Sequence, residues 1–168
     1  MSLITVDTKT RHLHFRDQSI RCAMGRSGAC SAEQKTEGDG FTPRGLWTLR
    51  TILYHRDRVV QRPHTKLPWR WINAQDGWSD TPRDPCYNRP VRLPHKFGAE
   101  SLNRDDPLYD IIIILGHNDE PVIPGKGSAI FFHIWNEARP TEGCIAIDRP
   151  AMEGLIPRLD RGVKMHVI

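Results

Sequence analysis

Six of the thirteen prolines in this 168-residue chain fall between Pro63 and Pro94. Proline fixes φ and cannot donate to a ladder, so a stretch this rich in it excludes a long helix or a central strand. Three of the five tryptophans, Trp69, Trp71 and Trp78, lie in the same stretch. Residues 57–108 therefore read as a loop excursion, folded down and pinned by those rings. Aromatics serve mostly as buried area, so packing is the first reading of the tryptophans and a groove wall the second.

Strand patterns flank the excursion. LITVDT, HLHF and SIRCAM alternate within residues 1–24. Residues 25–40 are glycine-rich turns, and GDG before Phe41-Thr42-Pro43 marks a tight reversal. GLWTLRTILYHR, 45–56, reads as a long strand. DIIIILG, 110–116, is apolar on both faces and hence central. GSAIFFHIW, 127–135, reads as a second central strand. Met152, Leu155, Ile156 and Leu159 recur at helical spacing, with Pro157 shortening or kinking that helix and Gly162 ending it. GVKMHVI closes the chain as an expected edge strand. The fold class is mostly β with one or two short helices, and residues 1–168 read as a single domain.

Composition bounds the function. Hydrophobic residues make up 38% of the chain, and mean hydropathy is -0.53. Its longest apolar run, Ile111 to Leu115, is far too short for a transmembrane segment. The first fifteen residues show no apolar core followed by a small-residue cleavage site. The net charge is +4, but the basic residues are scattered, without a dense block or zinc-finger spacing, which argues against nucleic acid as a partner. The four cysteines, Cys22, Cys30, Cys86 and Cys144, form no CxxC pair. Cys22 and Cys30 flank a loop with Gly25, Ser27 and Gly28, with bridging and buried thiols both open; the context of Cys144 argues for a free thiol.

Chemistry concentrates in GSAIFFHIWNEARPTEGCIAI, 127–147. Alternation puts Ile130, Phe132 and Ile134 on one face and Phe131, His133 and Trp135 on the other. His133 thus projects from a stiff support between two aromatics. Cys144 follows eleven residues later, after a loop long enough to return the thiol to the imidazole. A free cysteine has a pKa near ~8.5, and a neighbouring imidazole activates it by taking the proton or pairing with the anion. Gly143 lets the backbone adopt strained angles and a carbonyl carbon approach, and the amides of Gly143 and Cys144 are candidate oxyanion donors. Thr141 is read as supporting the loop or orienting His133. His117 and Asn118, ending the 110–116 strand, are read as lining the pocket or capping the strand. Arg139 is read as meeting a substrate carboxylate or as a solvated side chain.

The segment resembles the catalytic motif of the YkuD-type L,D-transpeptidases: a strand-borne His, then Ser or Thr, a variable residue, Gly and Cys. The matching positions are His133, Thr141, Glu142, Gly143 and Cys144. KTEGDGFTPRG at 35–45, DGWSDTPRDPCYNRPVRLP at 76–94 and LYDIIIILGHND at 108–119 extend the resemblance over most of the chain. It departs in three places: the His133–Cys144 spacing is short, Glu142 replaces a frequent His, and Ala146 replaces a frequent Arg. The resemblance implies a YkuD-like β-sandwich and a cell-envelope enzyme acting on peptidoglycan stem peptides. It implies that Cys144 forms a thioester acyl-enzyme, His133 shuttles the proton, and an amine acceptor on another stem peptide or a protein resolves the thioester. Water as acceptor would give an L,D-carboxypeptidase or amidase. It further implies that no cofactor or metal is required and that carbapenems label Cys144.

Three rivals are weighed against it. Papain-like and NlpC/P60-like peptidases place Cys before His in the chain, the reverse of this order. A zinc site from His117, His133 and Cys144 lacks a fourth ligand and compact spacing. A non-catalytic cell-wall binder would use the tryptophan-rich region as its surface.

Overall fold

The computed structural model describes residues 3–59, 61 and 63–168. Strands β1 (Leu3–Asp7), β2 (His12–Phe15) and β3 (Gln18–Arg21) form a meander, followed by short β4 (Ala29–Ser31) and the fourteen-residue β5 (Thr42–His55). Then come β6 (Trp69–Ile72), β7 (Asp76–Ser79), β8 (Pro90–Arg92) and β9 (Ala99–Ser101). The chain ends with β10 (Ile111–Leu115), β11 (Phe131–Ile134), β12 (Ile145–Ile147), helix α1 (Arg149–Leu155) and β13 (Lys164–Val167).

Ten strands share one sheet, with main order β12-β11-β10-β5-β13-β1-β2-β3 and with β4 and β6 also on β5. β5 is long enough to serve two half-sheets. Its first half pairs with β13, from Gly45 opposite Val167 to Thr48 opposite Lys164. Its second half pairs with β10, from Leu49 opposite Leu115 to Tyr54 opposite Ile111. One apolar cluster takes Ile4, Val6, Leu13 and Phe15 from one half and Ile113, Phe132 and Ile134 from the other. The halves therefore face each other across one core, joined through β5 as a sandwich. α1 drops Met152 and Leu155 into that core and is capped by Asp148, whose side chain accepts the Ala151 amide at 2.8 Å. The helical pattern over 149–160 shortens as Pro157 requires: α1 ends at Leu155 and a 3₁₀ turn, Ile156–Arg158, follows.

Two expectations are corrected. β13 is not an edge: it runs parallel to β1 and antiparallel to β5, with Met165 and Val167 fully buried. Its place at the end of the chain suggested an edge, but long-range pairing decides sheet order. The 57–108 excursion is more than loop. β6 joins β5 in parallel, and β8-β7-β9 make a separate three-stranded sheet. The prolines are accommodated because Pro90 opens β8, which lies at an edge of that sheet.

The tryptophans follow the packing reading. Trp69 and Trp71 lie edge to face, 5.3 Å apart, against Tyr54 and the main core. Trp78 donates Nε1–H to Asn88 Oδ1 at 2.9 Å and sets its ring against Phe131 at 5.2 Å. That contact docks the small sheet onto β11. All four cysteines are free.

Candidate active site

β11 carries its side chains to two different places. Ile130, Phe132 and Ile134 join the main core, while Phe131 enters a second cluster with Tyr109, Ile112, Trp78 and Cys144. The face with His133 thus lies under the small sheet rather than in the sandwich. β12 pairs parallel to β11, with Phe132 opposite Ile145 and His133 opposite Ala146. Cys144 sits two residues before Ala146, so alternation returns it to the face of His133 on the neighbouring strand. Both residues line one cleft of about 670 Å³.

The sulfur is tightly held. Cys144 Sγ–H donates to the Ala129 carbonyl at 3.2 Å, and Sγ accepts the Phe131 amide at 3.4 Å. The residue is 8% exposed. Burial pushes its thiol up to about 12, and the Glu100 carboxylate adds to the rise; the Phe131 amide and Lys35 act weakly the other way. His133 is 5% exposed, and burial brings its imidazole down to about 4, against the upward pull of the Ile134 carbonyl. At neutral pH Cys144 is therefore a thiol and His133 a neutral imidazole. Nδ1–H of His133 donates to the Ile134 carbonyl at 2.7 Å, which selects the tautomer that leaves Nε2 with its lone pair. The Tyr109 ring stands edge to face on the imidazole at 5.3 Å.

The loop before the cysteine is built by Thr141 and Gly143. Thr141 Oγ1 accepts the Gly143 amide at 3.1 Å and donates to the Cys144 carbonyl at 2.6 Å. The loop-supporting role of Thr141 is the one this geometry provides. It also engages the Gly143 amide, so that group is not a free oxyanion donor in this conformation. Gly143 adopts φ +142°, and a Cβ there would meet the Phe41 carbonyl oxygen at 2.9 Å. Thr42 Oγ1 donates to the Gly143 carbonyl at 2.9 Å and accepts the Gly25 amide at 2.9 Å, fastening the loop to the start of β5. Glu142 projects outward to Arg26, with Nε–Oε2 at 2.9 Å.

Arg139 and Thr141 line the cleft with Cys144 and His133. His117 and Asn118 are not brought there. His117 is buried against the edge of the Trp47 ring at 4.9 Å, with Nε2 bonded to the Lys126 carbonyl at 3.0 Å. Asn118 shapes the following turn, donating to the carbonyls of Ile123 and Gly127 and accepting the Ile123 amide. β10 ends before the cleft, so the residues after it turn into packing instead. With His117 elsewhere, the three-residue zinc constellation does not assemble.

The structure adds cleft residues that sequence reasoning missed. Tyr109 and Glu100 are joined by a hydrogen bond from the Tyr109 hydroxyl at 2.5 Å. Lys35, 2% exposed, bonds to Asp39 and to the Thr36 carbonyl. The four-residue step from Lys35 to Asp39 was visible in KTEGDG; nothing local signalled Tyr109 or Glu100. Trp135, foreseen on the His133 face, lines the cleft too.

Sequence comparison matches residues 2–168 to YkuD, the L,D-transpeptidase catalytic domain. The chain belongs to this family. No curated protein matches it. Two solved structures share a distant likeness: an L,D-transpeptidase from Mycobacterium smegmatis (11% identity, TM-score 0.46) and L,D-transpeptidase 1 of Mycobacterium tuberculosis (8% identity, TM-score 0.44). Each alignment covers 99% of this chain but 58% and 60% of the mycobacterial chains, so the chain spans less than two thirds of either. No helix among the described residues is long and apolar enough to cross a membrane.

Proposed function

We propose that this L,D-transpeptidase family member is a cysteine acyltransferase acting on peptidoglycan stem peptides in the cell envelope. The observation that carries the reading is the placement of Cys144 and His133 on one face of paired strands, inside one open cleft. A donor peptide enters the cleft, and Arg139 meets its carboxylate in place of the arginine that Ala146 lacks. Cys144 Sγ attacks the carbonyl carbon of an L-configured centre as its proton passes to His133 Nε2. Burial disfavours a standing thiolate, so proton loss and C–S bond formation go together once the substrate has displaced water. The carbonyls of Ile134 and Leu108 beside the ring favour the imidazolium formed in that step. The Cys144 amide is the candidate donor to the developing oxyanion, since the Gly143 amide is taken by Thr141. His133 returns its proton to the leaving D-residue, giving a thioester acyl-enzyme. An amine, on a second stem peptide or a protein, then resolves it.

Product analysis of purified muropeptides tests this. Wild-type protein yields crosslinked or exchanged products, and Cys144→Ala yields none. Mass spectrometry after carbapenem treatment is expected to show one adduct on the wild type and none on Cys144→Ala. Release of the terminal residue without amide formation would favour the carboxypeptidase reading. Sacculus binding without adduct or product would favour the non-catalytic binder.

A further inference from the structure

The walls of the Cys144–His133 cleft are unevenly charged. The segment between β6 and β10 contributes two acids: Asp80, just after β7, and Glu100, in the middle of β9. The turn-rich segment between β4 and β5 adds Glu37. Burial raises the Glu100 carboxyl, the Tyr109 hydroxyl and Arg104 pull it down, and Asp80 and Glu37 are close enough to add smaller upward pushes. Two cations of the same cleft take other acids as their close partners, although Arg104 also keeps a longer ion pair with Glu100. Lys35 pairs with Asp39, and Arg104 takes Asp106 at 2.5 Å while standing 3.9 Å from Glu100. Glu100 and Glu37 accept tyrosine hydroxyls instead, from Tyr109 and Tyr87. An independent sign of a missing ligand lies on the same cleft. Ser128 is 7% exposed, and its Oγ makes no hydrogen bond of good geometry, the Tyr87 hydroxyl beside it donating to Glu37 instead.

We propose that this wall is the acceptor subsite, with Glu100, flanked by Asp80, Glu37 and Ser128, binding the primary ammonium of the incoming acyl acceptor. The assignment rests on the acyl-enzyme reading given above. An ammonium offers three donors and no acceptor, which suits carboxylates and a hydroxyl lone pair. It also relieves the repulsion among the three acids, which no neutral ligand does. The Tyr109 hydroxyl holds one Glu100 oxygen, and the Tyr109 ring lies on His133, so an ammonium held at Glu100 waits beside the base. The ammonium gives one proton to the Glu100 carboxylate, which passes it to solvent. The neutral nitrogen attacks the thioester carbonyl, forming C–N as C–S breaks. The second nitrogen proton moves through His133 to the departing sulfur and restores the thiol. Water carries no charge for the wall to hold, so the subsite favours transfer over hydrolysis.

Glu100→Gln keeps an acceptor for the Tyr109 hydroxyl and deletes the charge. The donor is a stem peptide, and two acceptors are compared: Nα-acetyl-lysine amide, charged at neutral pH, and hydroxylamine, uncharged. Carbapenem labelling of Cys144 is followed in parallel as the control for folding and for the first half-reaction. The expected result is a single carbapenem adduct still formed on Cys144, at a rate that does not fall, because the Glu100 charge that raises the thiol is gone, a hydroxylamine KM that does not rise, and a KM for the lysine amide raised about tenfold, the scale of one hydrogen bond to a charged group. Asp80→Asn is expected to move the same KM in the same direction. An unchanged KM in Glu100→Gln overturns the assignment, as does an equal loss with both acceptors or a wild type that uses hydroxylamine alone. Wild type that takes no label at Cys144 sinks the underlying acyl-enzyme reading, a failure distinct from that of the subsite.

Discussion

Thr141 Oγ1 donates to the carbonyl of Cys144 at 2.6 Å. The same oxygen accepts the Gly143 amide at 3.1 Å, so one hydroxyl closes the turn that presents Cys144. Thr141→Val removes both bonds at nearly constant volume and leaves polar backbone groups unpaired. It is expected to lower stability by about 1–3 kcal/mol and to slow carbapenem acylation at least tenfold, whereas Thr141→Ser retains most of both. Denaturant melts and time-resolved intact mass measure the two effects; equal behaviour of Val and Ser variants contradicts the role.

Gly143→Ala is the most damaging single-methyl change expected in the loop. The residue sits at φ +142°, and the added carbon would press on the Phe41 carbonyl oxygen, a backbone atom that cannot rotate away. Strain of this kind costs on the order of 1–3 kcal/mol before any clash is counted. Acylation is expected to fall more than a hundredfold, in keeping with a displaced nucleophile and oxyanion donor (~100–1000-fold). Rates within tenfold of wild type would show that the loop tolerates a Cβ.

The buried pair makes stability depend on pH from both sides. His133 is brought down to about 4 in the folded chain, below its ordinary 6.5, so the unfolded chain binds more protons between those values. Stability is full above about 6.5 and is lost as pH falls toward 4. Cys144 is pushed up to about 12 from 9.0, so the unfolded chain sheds its proton first and stability falls as pH rises above 9. Melting temperature should plateau between those limits. The acid decline should lessen in His133→Asn and the alkaline decline in Cys144→Ala. A decline unchanged in each variant would assign it to other groups.

Trp78 couples the small sheet to the strand that carries His133. Its ring packs on Phe131, whose amide meets the Cys144 sulfur. Trp78→Ala is expected to cost roughly 3–5 kcal/mol, with Trp78→Phe milder. Hydrogen exchange should rise across 76–101 and along β11. Exchange that rises only in the small sheet would mean that β11 is held without it.

Local pattern carried a large part of this architecture. Alternation on 127–135 sorted Phe132 from His133 correctly because a strand side chain has only two directions to take. Helical spacing with Pro157 inside it located a short α1. What stayed hidden depends on pairing between distant segments. β13 reads the same whether it lies at an edge or between β1 and β5. The proline-rich excursion hid a three-stranded sheet because its strands have only three or four residues each. His117 looked like a site residue by its nearness to a strand end, and the chain turned it into packing against Trp47. Tyr109 and Glu100 belong to the cleft only because the 3₁₀ turn Pro107–Tyr109 packs on β11 and the Tyr109 hydroxyl meets Glu100 of β9, a juxtaposition with no local signature.

The grip on the Cys144 sulfur, from the Ala129 carbonyl on one side and the Phe131 amide on the other, also bears on chemical survival. Peroxide attacks thiolate far faster than thiol, and oxidation beyond the sulfenic stage does not reverse unaided. Kept protonated by its surroundings, the Cys144 sulfur is sheltered from oxidants that would otherwise consume it.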